Sequence, residues 1–500
     1  MVSTIWARKF TRDIILQSDL AGEFPLYVYH RNDQILYSKS ISELLNHPEI
    51  KGKISINPDG ISFLLQAGVI PPPMSIFENI FIIAMGQKCS VSLIHGELKL
   101  NFEYVYPFTN EKRISLKDYK INENELLELI AEATVSKIDN NKETFMFHSA
   151  GKDSNTIATA LASVGYQDKV TLITHKSKGE ADESEISESI AKKLGFKHII
   201  LKERICADGI IKDIDDYFEN VTLPVVDSVT LAYPLYSNTL PQLKESNIID
   251  GGGNDAYMQT PLSPLDKKFY YISHLLSPLR VFAEKFFGSE SKMLPLTKTH
   301  LDWWCGFGGL SFKETQKIFP LAVNTKKYFK LESVRRYSPD KVQLKTDFLT
   351  SIMASEQHIR KFRTAADSWS SNPILPFANE NIANYISSMP IELMYDKNTG
   401  RNKIILVELL KNKIDLDSDK LGKKGYVFDF WYVLNQMQLK VKDEIINCSL
   451  WDHGEILNMV ERLFETANSG SSNASRAQSW IHRLYLISGW FNKNKYLNVN

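Results

Sequence analysis

Ser149, Asp153 and Ser154 fall inside one short run, Phe145-Met146-Phe147-His148-Ser149-Ala150-Gly151-Lys152-Asp153-Ser154. Two hydroxyls, small residues and a helix start offer an anion side-chain donors, backbone N–H groups and the positive end of a helix. That combination suits a pyrophosphate. Asp153 would repel bare phosphate, so its natural task is to hold the Mg²⁺ that accompanies it. No Gly-Lys-Ser/Thr closes the turn, which excludes a Walker A loop. Far downstream, Ile248 and Ile249 lead into a second acid-bearing turn, Asp250-Gly251-Gly252-Gly253-Asn254-Asp255.

The elements around these turns must bring them together. Residues 145–147 predict a strand and 157–162 the body of the helix that follows. Residues 170–174 read as a second strand. Asp182-Glu183-Ser184 opens a helix through Ile186, Ile190 and Leu194 that stops at Gly195, and 198–201 form a third strand. Strands alternating with helices predict an α/β fold with a parallel sheet. Ligands of such sheets bind at the carboxyl ends of the strands, so the two acid turns are expected to face each other.

Taken together, these segments resemble the synthetase domain of the asparagine synthetase family, a group of N-type ATP pyrophosphatases. The family's order is SGGxDS, then DE…A…LG…H, then SGxGxDE, then a lysine-bearing KxGF-like segment. This chain offers 149–154 with Ala150 in place of one glycine, then Asp182-Glu183…Ala191…Leu194-Gly195…His198, then 250–255, then Lys423-Lys424-Gly425-Tyr426. Thr364-Ala365-Ala366 with Leu375-Pro376-Phe377 is similar to the family's MA…PFLD region. The N-terminal stretch, from Phe24-Pro25-Leu26-Tyr27 to Gly86, is similar to the second half of the family's glutamine amidotransferase domain. The resemblance therefore divides the chain into 1–115, a β-rich truncated amidotransferase-like domain, and 116–500, an ATP-dependent synthetase domain with a helical C-terminal part. The family's nucleophilic cysteine follows the initiator methionine, where this chain reads Met1-Val2-Ser3. Cys89 lies in a predicted strand and is expected to be a small buried hydrophobe. No release of ammonia from glutamine is expected.

What the resemblance implies is an acyl-adenylate chemistry. A carboxylate attacks ATP, pyrophosphate leaves, an amine attacks the acyl-adenylate, and AMP and an amide result. The nucleotide would be held by His148, Ser149, Gly151, Lys152, Asp153, Ser154, Thr174, Asp250, Gly251 and Gly253. Asp153 and Asp255 would share Mg²⁺ and act in catalysis. Lys423, the closest match, would serve the amide-forming half, with Lys424 as the fallback because the spacing permits either. Lys152 and Lys420 are either phosphate contacts or solvated surface lysines.

Departures from the family bear on substrate. Its first variable position in SGxGxDE is Glu in ammonia-using asparagine synthetases and Tyr in the β-lactam synthetases. Here it is Gly252, and Ala256 replaces the following Glu. The turn is more similar to glycine-rich variants among the lasso-peptide cyclases, which close a macrolactam. That reading implies a peptide carboxylate and amine, with a precursor peptide and a companion maturation protease. The alternatives are amidation of a small-molecule or sugar-acid carboxylate with free ammonia or an external amine, and an inert nucleotide- or partner-binding pseudoenzyme. A homodimer is compatible with each.

Bulk properties narrow the class. Fifty-nine basic and 59 acidic residues argue against nucleic-acid binding driven by charge. Cys89, Cys206, Cys305 and Cys448 form no CxxC pair, so neither a disulfide framework nor a zinc site is expected. No apolar run reaches membrane-spanning length and residues 1–12 lack a signal-peptide core, so a cytoplasmic location with no membrane partner is expected. Residues 122–137 predict an amphipathic helix, 467–475 a flexible loop, and Trp303, Trp304 and Trp369 core positions.

Overall fold

The computed structural model describes residues 2–177, 182–201, 207–260, 262, 272, 275–287, 294–297, 309–336, 338, 340–349, 352, 357–421, 427–494 and 498–499. Strands β1 (Ser3–Trp6), β2 (Ile14–Gln17), β3 (Leu26–Arg31) and β4 (Gln34–Ser38) come first. Helix α1 (Ile41–Leu45), β5 (Ser55–Ile56), α2 (Pro58–Ala67), β6 (Ile80–Ile83), β7 (Gln87–Ile94) and β8 (Glu97–Tyr104) follow. They make two antiparallel sheets, ordered β1-β4-β3-β6 and β2-β7-β8.

Successive strand residues point to opposite faces, so a strand that is apolar at every position is buried on both. Val28, Ile35 and Ile83 turn toward Cys89, Val91 and Leu98 of the second sheet. Their neighbours Tyr27, Tyr29, Leu36 and Ile82 turn the other way, into the main core. That core continues through Phe63 and Leu64 of α2 to Trp480, Tyr485 and Trp490 on the helix Ala474–Lys493. Apolar packing is therefore continuous across residue 115.

The second half of the fold begins with α3 (Glu123–Val135), where the Asn122 side chain caps the helix by accepting from the Glu125 N–H. Next come β9 (Thr144–Phe147), α4 (Lys152–Ser163), β10 (Thr171–His175), α5 (Ser184–Leu194) and β11 (Lys197–Leu201). They are followed by α6 (Ala207–Asn220), α7 (Ala232–Thr239), β12 (Asn247–Ile249) and β13 (Asn372–Ile374). Five strands form a parallel sheet in the order β11-β10-β9-β12-β13. Gly195 ends α5 with φ 84°, as its position in the sequence required.

Both faces of this sheet are covered as well. Met146, Leu172 and Ile249 pack with Ile130 of α3 and Ile157 of α4, while Phe145, Ile173 and Ile248 face the main core. From β9 the chain steps outward to β10 and β11, then returns to β12 on the opposite side of β9. The strand order reverses at β9/β12, and the crevice beyond those carboxyl ends is where such folds bind ligands.

Helices dominate the C-terminal part. The loop expected over 467–475 is shorter than the sequence suggested, because the helix His453–Asn468 runs on to Asn468 and the next resumes at Ala474. Trp369 is core, 4% exposed, while Trp303 and Trp304 lie outside the described residues. Among the described residues no helix is long and apolar enough to cross a membrane.

Candidate active site

The first turn is built from the end of β9 into α4. Gly151 takes the N-cap position without a side-chain cap, leaving the helix start open toward the crevice. Ser149 and Ser154 brace each other: the Ser149 N–H donates to Ser154 Oγ at 3.2 Å, and the two hydroxyl oxygens are 3.2 Å apart. Asn155 lies beneath, its Nδ2 donating to the carbonyls of Ser149 at 3.0 Å and Gly151 at 2.7 Å. Those two bonds orient the amide, so its Oδ1 accepts from His148 Nε2 at 2.9 Å. Neutral His148 thus carries its proton on Nε2. Burial pushes its pKa down to about 4, with the Asn155 bond opposing and His198 adding to the shift. The Ala150 N–H donates to Glu183 Oε2 at 3.2 Å, so the Asp182-Glu183 segment secures the loop.

The second turn, after β12, lies against the first. A Cβ placed on Gly251 would sit 3.2 Å from Asp153 Cβ. Gly253 has φ 118°, and a Cβ there would meet the Ala378 nitrogen at 2.8 Å, so this position requires glycine. Behind the turn, Tyr106 Oη donates to the Ala256 carbonyl at 2.6 Å and Arg113 Nη2 to the Tyr257 carbonyl at 2.8 Å. Tyr257 Oη in turn donates to the Phe377 carbonyl at 2.7 Å. The segment that follows the antiparallel sheets therefore backs the turn that bears Asp255.

A residue that the sequence did not single out joins the two turns. Lys403, 250 positions after Asp153, sends its ammonium between the acids. Nζ lies 2.8 Å from Asp153 Oδ2, 2.9 Å from Asp255 Oδ1 and 2.8 Å from Asn254 Oδ1. Burial alone would lower its pKa, but the carboxylates of Asp153 and Asp255 hold it above the ordinary lysine value. Its backbone is left-handed, φ 55°, and it stands at the N-cap of the helix Ile404–Ile414. A cation there opposes the helix dipole, a local conflict of the kind expected at working sites.

The donor set fits Mg²⁺. Two carboxylates converge within reach of one cation, as a hard oxygen-seeking ion requires, with Lys403 as a competing charge. Among the described residues no group of three or more His, Cys, Asp or Glu gathers as a metal cage. Asp153 and Asp255 would be the protein's share of the ligands, and water and phosphate oxygens the rest.

Both turns open into a cavity of about 330 Å³ at the β9/β12 reversal. Of the residues singled out in the sequence, His148, Ser149, Gly151, Asp153, Ser154, Thr174, Asp250, Gly251 and Asp255 line it. Gly253 is not in the lining and acts by shaping the turn. One wall is aromatic, with Phe147 ring centroids 5.8 Å from Tyr236 and 6.3 Å from Tyr233 and Phe362. His358 and Lys361 also line the cavity, and Lys361 Nζ pairs with Asp227 Oδ1 at 2.9 Å.

The structure does not bring Lys152 to the cavity. Its ammonium is held by the Asn402 carbonyl at 2.9 Å and Asp419 at 3.0 Å. Lys420 has an 85% exposed side chain, so the solvated reading fits it. Lys423 and Lys424 lie outside the described residues. Cys89 is fully buried and its thiol is pushed up to about 12 by burial, as is that of buried Cys448.

No family model matches the chain. Among curated proteins, a putative glutamine-hydrolysing asparagine synthetase 2 of Methanocaldococcus jannaschii is 25% identical over 193 residues, 38% of this chain and 37% of that protein. The matched region spans little more than a third of that relative. At this identity and coverage the likeness reaches an asparagine synthetase-like kinship at most, in keeping with the parallel sheet and the helical C-terminal half.

Proposed function

We propose that this protein forms amide bonds at the expense of ATP, by way of an acyl-adenylate. The observation that carries the reading is the convergence of Asp153, Asp255 and Lys403 beside an open helix start and a serine turn, at the sheet's reversal point. The Ser149–Ser154 turn would receive the departing pyrophosphate through its hydroxyls and the first N–H groups of α4. Lys403 would shift from its two carboxylates toward phosphate oxygens, meeting the negative charge that builds between the α- and β-phosphates. Mg²⁺, held by Asp153 and Asp255, would supply further charge neutralisation. The aromatic wall of Phe147, Tyr233 and Tyr236 would exclude water from the reactive mixed anhydride.

The two cysteines among the described residues, Cys89 and Cys448, are buried with their thiols pushed up to about 12, so neither offers a thiolate to glutamine. Cys206 and Cys305 lie outside the described residues, and we propose that the amine comes from solution or from the substrate itself. Gly252 leaves the turn without a side chain, which supports the narrower reading of a peptide-borne carboxylate closed onto the same peptide's amine. ATP–pyrophosphate exchange tests the proposal with Mg²⁺ and three carboxylates: aspartate, glucuronate, and a linear peptide bearing Glu and a free N-terminus. Exchange with any of them, accompanied by AMP, is expected, and exchange with the peptide selects macrolactam closure. No exchange with any of the three sinks the adenylation reading.

A further inference from the structure

We propose that Asp250 is the general base that takes a proton from the attacking nucleophile in the amide-forming half of the reaction. This assignment rests on the acyl-adenylate reading above. The nitrogen that bonds to the acyl carbon must lose a proton as the bond to the adenylate oxygen breaks and AMP departs with that electron pair. Asp250 would receive the proton on its carboxylate and release it to water once the amide has left.

The turn is built around this carboxylate. Asp250 lines the cavity, and its Oδ1 is fixed by the Gly252 N–H at 2.8 Å. The other oxygen has no partner among the described residues and is left for a ligand. A Cβ on residue 252 would lie 3.0 Å from Asp250 Oδ1, so the acid at 250 and the missing side chain at 252 go together. A side chain at 252 would push the carboxylate off its anchor. Gly251 packs on Asp153, which places Asp250 one residue from the proposed phosphate and metal end.

The charges facing it are mixed. Lys361 and His358 approach from the helix Arg360–Ser368 and the residues before it, Asp153 from α4, and Tyr233 from α7. Lys361 is already paired with Asp227. Burial raises the Asp250 pKa above the ordinary carboxylate value, with the Gly252 bond, Lys361 and His358 opposing and Asp153 adding to the rise. A carboxylate so placed binds a proton more readily than a solvated one, as a base must.

The experiment separates the two half-reactions in Asp250→Asn, Asp250→Glu and the unaltered protein, using whichever of the three carboxylates supports exchange. Nucleophiles are water and methylamine. In Asp250→Asn, AMP release to water and to methylamine should fall by about 100-fold or more. Pyrophosphate exchange should fall about tenfold less than product release, and Asp250→Glu should recover part of the loss. Gly252→Ala, which crowds Oδ1 without touching its charge, should show the same split more weakly, and it serves if Asp250→Asn fails to fold. Equal loss of exchange and product would make Asp250 a nucleotide contact and overturn the assignment. So would unimpaired release to water and methylamine. Absence of exchange in the unaltered protein would instead sink the underlying reading, and this assignment with it.

Discussion

Lys403 joins the two acid-bearing turns, and its surroundings fix what losing it should do. Two carboxylates held near one point repel each other unless a cation sits between them, and here the ammonium lies within 2.9 Å of both. Lys403→Met should lower pyrophosphate exchange by roughly 100- to 1,000-fold, the scale seen when one preorganised charge-stabilising group is lost. Asp153→Asn keeps the shape but removes the anion that serves both Lys403 and Mg²⁺, and it should reduce exchange at least as far. Melting temperatures of both variants, measured beside exchange, separate lost chemistry from lost folding. An Asp153→Asn protein with near-normal exchange would refute the metal assignment. The serine turn and the Asp250–Asp255 turn were legible because both are contiguous and chemically distinctive. Lys403 was not, since it reaches the site only through the fold. Its one local signal was a lysine, rather than Ser, Thr, Asp or Asn, standing directly before an apolar helix.

At the scale of elements, the strands and helices around β9 were readable because their apolar periods and caps agree with the fold. Gly195 at the end of α5 and Asn122 at the start of α3 are both caps that the sequence announces. The burial of β3, β4 and β6 on two faces was less legible, because a short apolar run does not say what covers it. Gly489, inside the helix Ala474–Lys493, shows how packing overrides propensity. Replacing a helical glycine by alanine gains about 1 kcal/mol in an exposed helix. Here the new Cβ would lie 2.2 Å from the Phe218 ring, and overpacking of that kind costs typically 1–3 kcal/mol. Gly489→Ala should therefore lower the midpoint in urea, where propensity alone predicts a rise. The combination with Phe218→Leu should recover part of the loss if the ring is the cause.

The whole molecule carries histidines that are buried uncharged. His148 is held near 4 and His482 near 3, each chiefly by burial, against an ordinary value of 6.5. Between pH 6.5 and 4 the unfolded chain binds protons that these sites refuse. Stability thus rises with pH across that window and is lost as pH falls through it. The His148 contribution is on the order of 3 kcal/mol over the window. Melting temperature should drop steadily from pH 7 to pH 4, and the slope should lessen in His482→Met. A flat profile would mean that these imidazoles are solvated in solution.

The hydrogen bonds from Tyr106 and Arg113 to the backbone behind Asp255, together with the core that runs from β3 to the C-terminal helix, tie events at the crevice to strands that never touch it. A ligand at 100 times its dissociation constant adds about 2.7 kcal/mol to the folded state. In a chain that opens as one cooperative unit, that increment is shared by every amide whose exchange with solvent deuterium requires global opening. Saturating Mg²⁺-ATP should then slow deuterium uptake in Leu26–Arg31 and Gln34–Ser38 about as much as in Thr144–Phe147. Protection confined to the parallel sheet would mean that the antiparallel sheets open on their own.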